Sequence, residues 1–307
     1  MRALVTGGAG FIGSNLADAL LARGDDVVIL DDVSTGRREN VPAAARFVEG
    51  SITDDDAVRD AVDGCEVVFH QAARGSVPRS IADPMATDTV NSGGTLKVLL
   101  AARDAGVRKV VVASSSSVYG GAAPMPTVES SALVPRSPYA VSKLSTEHHT
   151  RVIGELFGFE TVALRYFNVF GPRQRPDSQY AAVIPLFIDA VLDGRAPVIH
   201  GDGLQTRDFT FVGDVVAANI AAAESSATGI AVNIAGGNRR TILDVLHAIE
   251  AALGRTSTPE HVEPRAGDVL ASWADVELAR QALGWAAAVP FDEGMARTVE
   301  WFRDHRR

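Results

Sequence analysis

The stretch Ala3-Leu4-Val5-Thr6-Gly7-Gly8-Ala9-Gly10-Phe11-Ile12-Gly13 decides the fold. A short apolar run precedes glycines at 7, 10 and 13, and an amphipathic stretch follows. That order reads as strand, tight turn and helix. Gly7 permits the turn, Gly10 leaves the backbone open to a pyrophosphate, and Gly13 lets the helix pack close to the strand. The helix N-terminus then offers free N–H groups and the positive end of its dipole. A glycine triplet alone also fits an ordinary turn; what lies beyond it separates the two. Val27-Val28-Ile29-Leu30 reads as a second buried strand, and Asp31 ends it, 18 residues after Gly13. A carboxylate there can bond both ribose hydroxyls of an adenosine and repels a 2′-phosphate, so the expected cofactor is NAD rather than NADP.

The 307 residues suffice for one large core or two coupled lobes. A hydrophobic content of 46% and a charged content of 22% are ordinary for a soluble globular chain. The net charge of −9 argues against nucleic-acid or anionic-membrane partners, which need a basic surface. The seven histidines do not cluster at metal spacings, so no metal is expected. The single cysteine, Cys65, excludes an intrachain disulfide and reads as a small buried hydrophobe before an apolar strand. No apolar run is long enough to span a bilayer. The first strand starts at residue 2, leaving no room for a signal peptide, and the expected location is the cytoplasm.

Strands are expected near 2–6, 26–31, 46–49, 66–69, 108–114 and 160–165, with helices near 12–23, 55–62, 85–105 and 138–157. Continuous apolar strands alternating with amphipathic helices imply a parallel sheet covered on both faces. The expectation is an α/β chain: a Rossmann doubly wound sheet over 1–166, then a smaller, interleaved α/β substrate lobe over 167–307. Residues of about 207–236 should return to the first domain. Ligands in such sheets lie at the carboxyl ends of the strands.

Two segments there carry chemistry. Ser114-Ser115-Ser116-Ser117-Val118-Tyr119-Gly120 follows the strand Val110-Val111-Val112-Ala113, and Pro138-Tyr139-Ala140-Val141-Ser142-Lys143 comes later. Tyr139 and Lys143, four apart, share a helix face. A nearby ammonium lowers the tyrosine pKa, an oxidised nicotinamide adds a second positive charge, and a tyrosine brought toward neutrality can act as a general base. A lone Tyr-x-x-x-Lys is often a surface pair, but here it follows a dinucleotide fingerprint and a serine-rich strand end.

With these motifs the chain resembles the extended short-chain dehydrogenase/reductases. Within them it is most similar to the nucleotide-sugar epimerase/dehydratase branch and its UDP-hexose 4-epimerases. The likeness runs nearly end to end. It includes Phe69-His70-Gln71-Ala72-Ala73, Asn91, Leu164-Arg165-Tyr166-Phe167-Asn168-Val169-Phe170-Gly171-Pro172, Gly201-Asp202-Gly203, Arg207-Asp208-Phe209 and Arg265-x-Gly267-Asp268. The resemblance implies Ser115, Tyr139 and Lys143 as the catalytic residues. It implies a cofactor site of Gly7, Gly10, Phe11, Ile12, Gly13, Asp31, Asp32, Ser34, Thr35, Gly36, Ser51, Ile52, Gln71, Ala72, Ala73, Arg74, Asn91, Ala113, Tyr139, Lys143 and Tyr166. It implies a substrate site of Ser76, Ser115, Ser116, Ser117, Tyr139, Asn168, Arg175, Val183, Ile184, Val198, His200, Arg207, Arg265, Asp268 and Ser272. Asn168, Arg207 and Arg265 would hold the UDP moiety, the arginines through charged bidentate hydrogen bonds. Gly50-Ser51-Ile52 departs from relatives that carry an acid beside the adenine, which puts that contact in doubt.

Dehydratases of the branch place Asp-Glu after the catalytic Ser/Thr, and decarboxylases a Glu. Ser116 and Ser117 stand there instead, leaving a base, a hydride acceptor and a ketone, which suffices for 4-epimerisation. Arg175 matches a position used against the carboxylate of UDP-glucuronate, whereas Ser272 leaves space for UDP-N-acetylglucosamine. UDP-glucuronate is slightly favoured over that sugar and UDP-glucose. A lyase and a non-catalytic NAD-binding regulator are the competing readings. Family likeness also implies a homodimer through about 85–105 and 138–157, where Leu96, Val98, Leu99, Val152, Ile153 and Leu156 are candidates for contact or for core.

Overall fold

A computed structural model describes residues 1–121, 123–175, 183–264 and 270–305. The first half alternates β1 (Arg2–Thr6), α1 (Phe11–Ala22), β2 (Asp26–Asp31), β3 (Arg46–Glu49), α2 (Asp55–Val62) and β4 (Val67–His70). It continues through α3 (Val77–Ala82), α4 (Pro84–Asp88), α5 (Gly94–Asp104), β5 (Lys109–Ser115), α6 (Pro138–Phe157) and β6 (Glu160–Tyr166). The helix expected near 85–105 is interrupted: a π-helical turn, Thr89–Gly93, joins α4 to α5.

The second half holds β7 (Val169–Phe170), α7 (Val183–Asp193), β8 (Val198–His200), β9 (Thr206–Asp208), β10 (Thr210–Phe211), α8 (Val212–Glu224) and β11 (Ile230–Ile234). After these come β12 (Arg239–Thr241), α9 (Ile242–Leu253), β13 (Glu260–Val262), α10 (Glu277–Leu283) and α11 (Phe291–Asp304). The main sheet runs β11-β6-β5-β4-β1-β2-β3, all parallel. Strand order reverses between β1 and β4, and the crevice above that reversal is where ligands lie in such sheets.

Alternate residues of each strand feed opposite faces, as the pleat requires. Val5, Ile29, Phe69 and Val111 pack with Leu16 and Leu20 of α1 and Val215 and Ala218 of α8. Leu4, Val28, Val68 and Val110 pack with Val58 of α2 and Val98 and Leu99 of α5. Both faces are dry, which explains why the strands read as continuous apolar runs.

The C-terminal lobe has its own core. Phe170, Phe187, Phe209, Phe211, Val245, Ile249 and Phe302 join α7, α9 and α11, and Phe11 and Ile12 at the start of α1 pack against it. Phe170 meets Phe209 edge-on at 6.3 Å. Besides β11 and α8, α10 also returns to the sheet, with Ala279, Leu283 and Trp285 buried on its first face. The Trp285 indole N–H donates to the Asp214 carbonyl at 3.0 Å. The lobes are thus interleaved, and the start of α1 lies at their junction.

Candidate active site

A cavity of about 960 Å³ opens above the β1–β4 reversal. Its floor is the first turn of the chain. Gly7 sits at φ +71°, and a Cβ on it would lie 2.7 Å from the Ala72 nitrogen. A Cβ on Gly13 would lie 2.2 Å from the Gly7 carbonyl oxygen, so α1 can approach only with glycine there. Gly10 is the N-cap of α1 and brings no side-chain acceptor, leaving first-turn N–H groups to a ligand. Asp31 closes the far end. Its carboxylate accepts from the Ala9 N–H at 2.9 Å and the Val33 N–H at 2.8 Å, and it keeps further lone pairs for hydroxyl donors. Burial pushes its pKa up, and these two amides pull it back.

Of the residues expected at the cofactor, all but Asn91 line this cavity. Asn91, in the π turn, is fully enclosed; its Oδ1 accepts from the Arg74 N–H at 2.7 Å and its Nδ2 donates to Ser142 Oγ at 2.9 Å. It therefore holds the 72–74 loop from behind. The Ser51 hydroxyl pairs with Thr53 Oγ1 at 2.9 Å. Lining residues that sequence reasoning missed include Arg37, Asn40, Arg79 and Arg173.

At the other end, Ser137 caps α6 by accepting the Ala140 N–H at 3.1 Å, and Pro138 occupies the first turn. That cap sets Tyr139 in the first turn with Lys143 one turn on. Lys143 Nζ donates to the Ala113 carbonyl at 3.0 Å. Burial lowers its pKa to about 8 while the nearby Glu147 carboxylate pulls upward. Burial raises the Tyr139 pKa, and a hydrogen bond with Ser115 opposes it. The chain alone therefore does not show the expected lowering of the tyrosine by Lys143, because the ammonium is committed to the end of β5.

Behind these groups lies a buried ion pair. Arg165 grips Glu147 with two nitrogens, at 2.9 and 2.7 Å, and reaches the Tyr119 hydroxyl at 2.8 Å. Ser114 Oγ donates to Glu147 Oε1 at 2.5 Å. The network ties α6, β5 and β6 together directly beneath Ser115, Tyr139 and Lys143.

A second cavity, about 500 Å³, lies in the C-terminal lobe. Asn168, Val183, Ile184, Val198, His200 and Arg207 line it, together with Arg195 and Gln205, which were not anticipated. Ser272 lies beside it: Asn168 Nδ2 donates to Ser272 Oγ at 3.1 Å and to the Asp208 carbonyl at 2.9 Å. Ser76 caps α3 by accepting the Arg79 N–H at 3.2 Å. Ser115 Oγ accepts from the Ser117 N–H at 3.2 Å. Arg265 and Asp268 fall outside the described residues.

Arg175 is the residue expected beside the sugar. It lines the larger cavity, and its Nη1 donates to the Thr35 carbonyl at 2.8 Å, on the loop after β2. This contact points the guanidinium toward the adenosine end of the site rather than the sugar. Among the described residues no three His, Cys, Asp or Glu side chains gather as a metal site, and no helix is long and apolar enough to cross a membrane.

The NAD-dependent epimerase/dehydratase family model matches residues 3–235. The UDP-glucose 4-epimerase of Mycolicibacterium smegmatis is 43% identical over 99% of both chains. The structure of a Thermotoga maritima UDP-glucose 4-epimerase with UDP-glucose superposes at a TM-score of 0.94, with 36% identity and full coverage of both chains. A Thermus thermophilus UDP-glucose 4-epimerase holding NAD does so at 0.91, with 38% identity over 99% of this chain and 100% of that one. The glycine floor, the open helix N-terminus and the carboxylate at Asp31 suit the dinucleotide of that family. The chain belongs to the NAD-dependent epimerase/dehydratase family and is an NAD-dependent epimerase.

Proposed function

We propose that this enzyme inverts C4 of a UDP-sugar through a 4-keto intermediate. The observation that carries the reading is the placement of acids. Among the described residues lining the larger cavity, only Asp31 and Asp32 bear carboxylates, the first ending β2 and the second following it. Three strand spacings, about 14 Å, separate β2 from β5 and its Ser115. The segment beside Tyr139 therefore carries hydroxyls and no carboxylic acid to eliminate water. Tyr139 takes the proton of the sugar 4-hydroxyl, with Ser115 bonding the same oxygen. Lys143 anchors the cofactor side of the site. NAD, when bound, would supply a reversible acceptor for the C4 hydride, so no net redox would occur. After the ketone turns over, Tyr139 gives the proton back. Asn168 and Arg207 hold the UDP moiety in the smaller cavity.

For the sugar, the bond from Arg175 to the Thr35 carbonyl supports a site with no cation facing a C6 carboxylate. A neutral hexose follows: UDP-glucose first, with UDP-N-acetylglucosamine accommodated by the small Ser272, and UDP-glucuronate behind both. The names of the relatives support the same order. The active form is a homodimer built on α6 and the α3–α4 segment.

Incubation with UDP-glucose, UDP-N-acetylglucosamine and UDP-glucuronate, followed by proton NMR, tests the reading. An axial–equatorial change at C4, fastest for a neutral sugar, is expected. Loss of water or CO2 without a C4 epimer would establish a lyase, and fastest turnover of UDP-glucuronate would restore the acidic sugar.

A further inference from the structure

The loop 171–175 leaves the C-terminal lobe and runs between the two cavities. Gln174 lines the smaller one, while Arg173 and Arg175 on either side of it line the larger. The loop is pinned to the first turns of α1. Asn15 Nδ2 donates both to the Phe11 carbonyl at 2.8 Å and to the Pro172 carbonyl at 3.2 Å. Phe11 opens α1, the end that receives a diphosphate.

Arg173 sits at φ +71°, an uncommon conformation for a residue with a Cβ and one that the surrounding contacts must hold in place. Its Nη2 is 2.7 Å from Asp18 Oδ2 on α1. Its Nη1 is buried with no hydrogen-bond partner. A buried donor left unmade is costly, more so on a cation, and an anion in the cavity would remove that cost. Arg175, two residues on, is fastened to Thr35 on the opposite wall.

We propose that Arg173 is a ligand of the cofactor's diphosphate supplied by the substrate-binding lobe, and that Arg175 holds its loop across the cavity. The proposal rests on NAD as the cofactor. It makes NAD retention depend on a loop whose middle residue faces the other cavity, so the two ligands share one element.

Calorimetric titration of NAD into nucleotide-free enzyme tests it, and the unaltered protein tests the cofactor assignment separately. Arg173→Gln should raise the NAD Kd about tenfold or more, the loss of one charge-assisted hydrogen bond. Arg173→Lys keeps the charge and should recover most of that affinity. Asp18→Asn breaks the ion pair but leaves the cation and should bind as the unaltered enzyme does. Unchanged affinity in Arg173→Gln would overturn the proposal. So would equal weakening in Asp18→Asn, which would mean that Arg173 merely pins α1, or equal weakening in the Lys and Gln variants.

Discussion

Two buried groups near the ligand cavities have pKa values moved in opposite directions by burial. Asp208 is fully enclosed, and burial raises its pKa to about 6, although the backbone N–H of Ala274 and those of 236–238 pull it down. His70 is equally enclosed between Thr6 Oγ1 at 2.7 Å and Thr95 Oγ1 at 2.9 Å, and burial, aided by the Lys143 charge, lowers its pKa to about 3. The signs differ. Asp208 binds its proton more tightly folded than unfolded, so its contribution to stability is present at low pH and is lost as pH rises from about 3.8 to about 6. His70 refuses a proton that the unfolded chain accepts, so its contribution is present above about 6.5 and is lost as pH falls toward 3. Denaturant unfolding between pH 4 and 7 should show this in the variants. The stability advantage of the unaltered protein over His70→Gln should grow with pH. Its advantage over Asp208→Asn should shrink by up to about 3 kcal/mol. Parallel curves for both variants would contradict the assignment. Neither shift was legible in the sequence, because a pKa depends on what closes over a residue. The contact of Arg175 was hidden for a related reason: the motif located its loop, but the direction of the side chain follows from a Thr35 carbonyl 140 residues away. Asp31 was legible because a strand end and a glycine turn fix where its carboxylate must lie.

Element by element, the strands and α1 follow from apolar runs and glycine spacing, and α6 follows from Ser137-Pro138 and the Tyr139–Lys143 interval. The π turn at Thr89–Gly93 was not legible, since no residue pattern distinguishes one wider turn inside a helical stretch. It turns Asn91 inward to Arg74 and Ser142. The helices also sort the apolar residues that sequence left ambiguous. Val98 and Leu99 belong to the chain's own core, whereas Val152 and Leu156, one turn apart on α6, are exposed, Leu156 by 70%. Val141 and Phe157 on α6, Ile81 on α3 and Met85 on α4 are exposed as well, and α3 and α4 pack against α6. A row of this kind on adjoining helices is the surface that the proposed homodimer would cover. Light scattering should give a dimeric mass, and Leu156→Glu should give a monomer that still binds NAD. A monomeric mass for the unaltered protein would end the dimer reading.

Across the whole molecule, the parallel sheet, its reversal between β1 and β4, and an interleaved second lobe set two cavities side by side, which the proposed reading assigns to a dinucleotide and a sugar nucleotide. The α10 return was not expected from sequence, because a seven-residue helix with two buried anchors, Ala279 and Leu283, carries too little periodicity to announce itself. On the proposed mechanism a hydride leaves C4 and returns to it, with no second acid or base at work. Turnover of UDP-glucose in deuterium oxide, followed by NMR and mass spectrometry, is the decisive measurement. The C4 epimer should form with no deuterium in the sugar ring. Deuterium incorporated into the ring, or a product lacking the elements of water, would contradict it.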